Sequence, residues 1–241
     1  NPSSNIVVKN DNLVSERVVM TDEQQMQFLN IAKHRYYNEV YQILLSTGMR
    51  IGELTALQWD DIDFENKEIH IRHSMQSAYL NGKKILNMTT PKTSNSIRDI
   101  PMFDGVEKLF VFWKEKQDKA KKELGRRWRL PKEFENLVFT SSLGSPLTRY
   151  VLSNDINKIV SILNKNEEYL AEQENRVPKK FPKLHPHSFR HTFATRCFEK
   201  NLKPVFIMSI MGHSNYETTL SYTHLLKKSN DQQVSLAGSF V

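Results

Sequence analysis

Apolar residues recur every three or four positions along most of this chain, and between Asp61 and Met102 the period shortens to two. The first pattern is that of amphipathic helices, the second that of strands with one buried face. Thr21 with Gln24 three residues later is a capping-box signature and predicts a helix whose stripe is Phe28, Leu29, Ile31 and Ala32. A second helix is predicted over residues 36–47, with Val40, Ile43, Leu44 and Leu45 inward and Gly48 as its C-cap. Ile51, Leu54 and Leu57 anchor a third. Alternation at residues 68–72, in parts of 85–90 and at 97–100, with a hairpin signal at Asn81-Gly82, predicts a small antiparallel sheet of three strands.

Beyond the sheet, helices are predicted over residues 103–125, with Val106, Leu109, Phe110 and Trp113 on one face, and over 150–164, with Val151, Ile156, Ile159, Ile162 and Leu163 inward. Residues 137–140 read as a short strand or buried extended segment, and 166–183 as a loop or frayed helical excursion. The carboxyl third is helical again: Phe189, Phe193, Ala194 and Cys197 form one stripe, and Pro204 opens a further helix that Gly212 closes. Residues 1–19 are polar and read as a linker or arm. Residues 227–241 turn from polar to apolar, ending in Val234, Leu236, Ala237, Phe240 and Val241, and read as a tail that docks on its own domain or on a neighbouring copy. The fold class expected is mixed α+β, mainly α-helical: a helical bundle with the three-stranded sheet on one side.

Charge adds a partner class. A formal net charge of +7 over 241 residues, with eight basic against three acidic residues from Lys114 to Arg129, favours a polyanion. A solvated helix face explains the local cluster equally well. No apolar run approaches the roughly 20 residues of a membrane helix, and the single cysteine, Cys197, agrees with a reducing compartment, so a cytoplasmic protein without membrane contact is expected. The chain opens Asn-Pro-Ser-Ser rather than on methionine, which leads us to expect a region in front of it.

The candidate chemistry lies between His185 and His224. The run His-Pro-His-Ser-Phe-Arg-His-Thr supplies His187, Arg190 and His191; His213 follows a glycine, and Tyr222 follows on a helix-like segment. A guanidinium bonds two non-bridging phosphate oxygens at once, which a point-like ammonium cannot. An imidazole moves protons near neutrality. A tyrosine hydroxyl is a weak nucleophile that nearby cations favour as phenolate. Upstream, Arg50 after the Gly48 turn could project into a cleft or simply pair with Glu53, and Lys92 lies in a polar turn. A zinc site from His185, His187, His191 and Cys197 is a further alternative, weakened by the single cysteine.

Taken together, Thr47-Gly-Met-Arg50-Ile-Gly-Glu53-Leu, Lys92 in its turn, His187-Ser-Phe-Arg190-His191-Thr, Met-Gly-His213-Ser and Tyr222-Thr-His resemble the tyrosine recombinases, or phage integrases, over nearly the whole chain from about Met20. The likeness is strongest to integrases of conjugative transposons and related phages. It implies that Tyr222 attacks a scissile phosphate, leaving a 3′-phosphotyrosyl link and a free 5′-hydroxyl. It further implies that Arg50 and Arg190 clamp the non-bridging oxygens, Lys92 protonates the departing 5′-oxygen, His187 serves in proton transfer from the tyrosine and His213 hydrogen-bonds the phosphate. Glu53 and His191 match supporting positions. No metal and no cofactor is implied; the partners are a double-stranded recombination site, which places the protein on the bacterial nucleoid, other copies of the chain in a synaptic dimer or tetramer, with the 227–241 tail docking on a neighbouring protomer, and accessory DNA-bending or excision factors. Phe189, Met211 and Asn215 depart from the family's usual leucine, leucine and serine, changes at the level of packing. The function expected is site-specific integration or excision of a mobile element by a catalytic domain at residues 20–241. Two other readings stay open: a topoisomerase-like relaxing enzyme with the same chemistry, and a basic DNA-binding module without catalysis.

Overall fold

The structure, a computed structural model, describes residues 17–80, 83–90 and 96–222. The predicted linker up to residue 16, the Lys92 turn and the tail from residue 223 lie outside the described residues, so the expectations for them stay as stated above. The first helix, α1 (Asp22–Ala32), starts as its capping box requires: Gln24 N–H donates to the Thr21 hydroxyl at 3.1 Å, and Thr21 N–H donates to the Gln24 side chain at 3.0 Å. Helix α2 (Asn38–Thr47) ends on Gly48, whose φ of 63° is left-handed. A Cβ there would also sit 2.3 Å from the Phe193 ring, so glycine is required both for backbone angle and for the close passage of the helix that carries Phe193. Helix α3 (Ile51–Ala56) follows after the three residues Gly48, Met49 and Arg50.

Two sheets follow where one was predicted. Strands β1 (Ile62–Asp63), β2 (Glu68–Ile71) and β5 (Arg98–Pro101) make the three-stranded antiparallel sheet, while β3 (Ser74–Leu80) and β4 (Lys83–Thr89) form a separate antiparallel hairpin. The expectation that the 85–90 strand would join those at 68–72 and 97–100 is therefore corrected. The hairpin signal Asn81-Gly82 itself lies outside the described residues, but Leu80 pairs with Lys83 on either side of it, so β4 pairs with β3. The hairpin lies on α3: a Cβ on Gly52 would meet the Ser74 hydroxyl at 2.6 Å. Met75, Ala56 and Leu137 form a small core beneath it.

Helix α4 (Asp104–Leu124) buries Val106, Phe110, Trp113 and Gln117 along one stripe. The last two grip the extended segment beyond it: Trp113 Nε1 donates to the Val138 carbonyl at 2.6 Å and Gln117 Nε2 to the same oxygen at 2.8 Å. Residues 137–140 are fully buried, as the sequence led us to expect. Within the basic cluster, Lys116 is committed to Glu39 and the Tyr36 carbonyl, and Lys114 lies over the Trp59 ring.

Helix α5 (Arg149–Gln173) runs well past its predicted end at residue 164. The extension is continuous helix rather than a loop because the returning chain supports it. Lys179 N–H and Arg176 bond Glu167, and Phe181 N–H donates to Asn164 Oδ1 at 2.7 Å. The remaining elements are α6 (Pro186–Glu199), α7 (Pro204–Met211, opened by Pro204 and closed on Gly212 at φ 60°) and the short α8 (Tyr216–Leu220). Helix α6 is buried around nearly its whole circumference. Its Phe189 closes an aromatic triangle with Phe28 of α1 and Tyr41 of α2, ring centroids 5.1–5.5 Å apart. Phe189 is thus packed against two further aromatic rings, immediately before Arg190 on the same helix. Among the described residues no helix is long and apolar enough to cross a membrane.

Candidate active site

Helices α2 and α7 both end on left-handed glycines, and the Gly48 and Met211 carbonyls at those ends, which no helical N–H can reach, come within reach of one side chain of α6. Arg190 of α6 satisfies both. Its Nη1 donates to the Gly48 carbonyl at 2.6 Å and its Nη2 to the Met211 carbonyl at 2.6 Å, and the residue is only 4% exposed. The partial negative charge of the two helix ends offsets part of the cost of burying the cation. Arg50, the N-cap of α3, reaches the same place from the other side: Nη2 donates to the Gly212 carbonyl and Nη1 to Glu53 Oε1, at 2.9 and 2.8 Å. The pairing of Arg50 with Glu53 and its projection into a cleft are both present. Arg50, with its side chain 34% exposed, lines a cavity of about 410 Å³ together with His187, Arg149, Ser74 and Gln76.

Tyr222 does not line that cleft. It is 3% exposed, with its hydroxyl 2.9 Å from His191 Nδ1 and its ring stacked parallel to that of His213 at 6.2 Å. The histidine on the tyrosine hydroxyl is thus His191 and not His187, which stands at the cleft, 6.4 Å from His191 ring to ring. Spacing within α6 explains the exchange: His187 and His191 lie one turn apart, and the α8 end meets the second of them. Burial raises the Tyr222 hydroxyl above its ordinary value, against the opposing charges of Arg190, Arg17 and Arg50. The expectation of a cation-favoured phenolate is corrected accordingly: here desolvation wins, and the group stays protonated until a base takes its proton.

The one imidazole on that hydroxyl, His191, is held neutral and so has a ring nitrogen open to a proton, though burial makes it a weaker base than a free histidine. Burial, then the charges of Arg17, His187 and Arg190, lower His191 to about 4; burial, then Arg190, Arg50, Arg98 and Arg17, lower His213 to about 3. Packing and the charges of Arg149, Arg190 and Arg50 likewise hold His187 below the usual value. All three are neutral at pH 7. His191 and His213 both have folded values below the unfolded ~6.5, so the unfolded chain takes up their protons first and stability is lost as pH falls. Thermal stability should drop between pH 6.5 and 5, with a slope of up to ~1.4 kcal/mol per pH unit for each fully linked ring. His213→Gln should flatten that slope; a melting temperature flat over this window would contradict the assignment.

The sequence reading missed two arginines. Arg98 of β5 is 8% exposed and forks onto Glu53, Nη1 to Oε1 at 3.1 Å and Nη2 to Oε2 at 2.9 Å. Ile97 misled the phase: it is 42% exposed, while Arg98 and Ile100 face inward. A charge at an inward register position was the available signal. Arg17, in the expected linker, lies over the Tyr222 ring at 5.2 Å and bonds Ser221. The zinc alternative finds no support in the geometry, since His191 Nδ1 faces the tyrosine and, among the described residues, the only cluster at ligating spacing is Glu68, His70 and Asp99, in which Asp99 is already bonded to His70 and to Arg72.

Comparison with known proteins gives the family and the fold. Residues 19–229 match the phage integrase family. A tyrosine recombinase XerC-like protein of Caldanaerobacter subterraneus subsp. tengcongensis is 27% identical over 230 residues, 93% of this chain and 54% of the relative. The transposase from transposon Tn916 of Enterococcus faecalis is 31% identical over 214 residues, 86% of this chain and 47% of the relative. The chain therefore spans about half the length of these curated relatives. Among solved structures, the Tn1549 transposon integrase in complex with a circular intermediate DNA superposes with a TM-score of 0.71 at 29% identity, covering 88% of this chain and 63% of that one. XerA recombinase shares the fold, with a TM-score of 0.60 at 20% identity over 90% of this chain and 63% of that one. The chain belongs to the phage integrase family.

Proposed function

We propose that this chain is the catalytic part of a site-specific recombinase that cuts and rejoins duplex DNA to integrate or excise a mobile element. The observation that carries the reading is the pair of guanidiniums, Arg50 and Arg190, held on the ends of α2 and α7 beside neutral imidazoles and a buried tyrosine. That the solved Tn1549 relative is held with DNA supports duplex DNA as the substrate. In the proposed reaction His191 accepts the Tyr222 proton, the phenolate oxygen bonds to phosphorus, and the bond from phosphorus to the 5′-oxygen breaks. Lys92 gives that oxygen its proton. Arg50, Arg190 and His213 hold the non-bridging oxygens where charge develops, while Glu53 orients Arg50 and His187 bonds the phosphate from the cleft side. One phosphate ester replaces another, so the 5′-hydroxyl of a second strand reverses the attack without an external energy source.

Because Tyr222 lies outside the cleft in this arrangement, the α8 end must shift before attack, a movement suited to control by assembly with other copies and with accessory factors. The test is two-site dependence. Labelled duplexes carrying the element's two ends should yield joint products only when both are present, and Tyr222→Phe should give none. A topoisomerase-like enzyme would relax a supercoiled plasmid with one site and never join two duplexes; a binding module would bind both and alter neither.

A further inference from the structure

A carboxylate offers about four acceptor positions, and Glu53 has all of its own filled by two arginines. Oε1 takes Arg50 Nη1 at 2.8 Å and Arg98 Nη1 at 3.1 Å; Oε2 takes the Arg50 backbone N–H at 2.8 Å and Arg98 Nη2 at 2.9 Å. Arg98 then reaches on, with Nε to the Ile210 carbonyl and Nη1 to the Ser96 carbonyl. Arg50 for its part bonds the Gly212 carbonyl. The result is a closed circuit: strand β5, the Glu53 carboxylate, the Arg50 guanidinium and the end of α7, back to β5.

Resting on the recombinase reading above, we propose that Arg98 is a positioning residue for DNA cleavage: it locks Glu53 so that Arg50 is held in one direction, and absorbs the carboxylate's charge so that Arg50's own charge remains for the phosphate. Both parts follow from the geometry. Arg50 is a long, one-third exposed side chain held at two points, the Glu53 carboxylate and the Gly212 carbonyl, so a Glu53 that is itself unfixed lets one of the two drift, and a displacement of about 1 Å at a reacting phosphate costs on the order of 100-fold in rate. As for charge, Arg50 and Glu53 alone form a neutral pair; with Arg98 the group of three carries one net positive charge. A forked, bidentate grip is needed, which a lysine cannot supply. Apolar residues fill the neighbouring inward positions of this sheet, so a buried guanidinium is a costly choice for stability alone.

The test separates positioning from folding by changing the substrate. Single-turnover formation of the protein–DNA adduct is measured on a nicked duplex bearing the element's end, once with a normal scissile phosphate and once with a methylphosphonate, in which an uncharged methyl group replaces one non-bridging oxygen. Arg98→Met and Arg98→Lys should each slow adduct formation by about 10- to 100-fold on the phosphate. DNA affinity should stay within about threefold. On the methylphosphonate, where less charge must be neutralised, the deficit should shrink to about threefold. If Arg98→Met fails to fold, Arg98→Lys carries the comparison. Equal losses on both substrates would mark a structural role and overturn the proposal, as would rates unchanged from the unaltered chain. Absence of any adduct with the unaltered chain would instead overturn the recombinase reading, and this role with it.

Discussion

Arg190→Lys should lower strand cleavage by about 100- to 1,000-fold, the loss typical of removing one pre-positioned donor from a developing oxyanion. The expectation follows from what the guanidinium does before any substrate arrives. It bonds the Gly48 and Met211 carbonyls with two different nitrogens, and a single ammonium cannot span both while also facing a phosphate. Burial and the nearby charge of Arg50 press its pKa down, yet a guanidinium stays charged at neutral pH, so the site always presents a fixed cation. Arg190→Ala should also destabilise the fold, since it strands two helix-end carbonyls at ~1–3 kcal/mol each. Single-turnover cleavage alongside thermal melting separates these effects; Arg190→Lys cleaving within a few-fold of the unaltered chain would refute the role.

Glu53→Ala is expected to be the most damaging change to stability among the site residues. Arg98 is almost fully buried and its fork has no other carboxylate among the described residues. Removing one partner of a buried pair costs ~3–5 kcal/mol, because the remaining charge is left without compensation. At ~2–4 °C per kcal/mol for a chain of this size, the melting temperature should fall by on the order of 10 °C. Glu53→Gln should fall between, since an amide can accept but not neutralise. Burial tends to raise the Glu53 pKa, but hydrogen bonds and charges from Arg98 and Arg50 outweigh it and the net shift is downward. A carboxylate depressed on folding contributes stability that is present above its unfolded value of ~4.3 and lost as pH falls through the folded one. The acid limb of the stability profile should therefore be shallower in Glu53→Gln. A loss of no more than a degree or two in Glu53→Ala would contradict the view that this pair is tightly coupled.

Much of this was legible in the residues, for reasons that are local. Thr21 with Gln24, Gly48, Pro204 and Gly212 each fix one helix end by short-range chemistry, and each does so here. Arg50, Glu53, Arg190, His191, His213 and Tyr222 were named from a pattern of motifs, and the fold brings them to the ends of α2 and α7. What was not legible depends on distant parts of the chain. The reach of α5 past residue 164 is set by Arg176, Lys179 and Phe181 folding back onto it. Arg98 was hidden because Ile97 next to it is the apolar residue that faces solvent. The direction of the Tyr222 shift could not be read from its cationic neighbours, because burial, which outweighs them, exists only in the folded chain.

The central claim is that Tyr222 is the nucleophile, and covalent trapping tests it most directly. The protein is incubated with a nicked duplex bearing the element's end, so that the short 5′-hydroxyl strand diffuses away after cleavage; the mixture is denatured and separated by size. The account predicts a protein–DNA adduct whose 3′-phosphate is attached to Tyr222, and no adduct with Tyr222→Phe. An adduct that survives that substitution would contradict it.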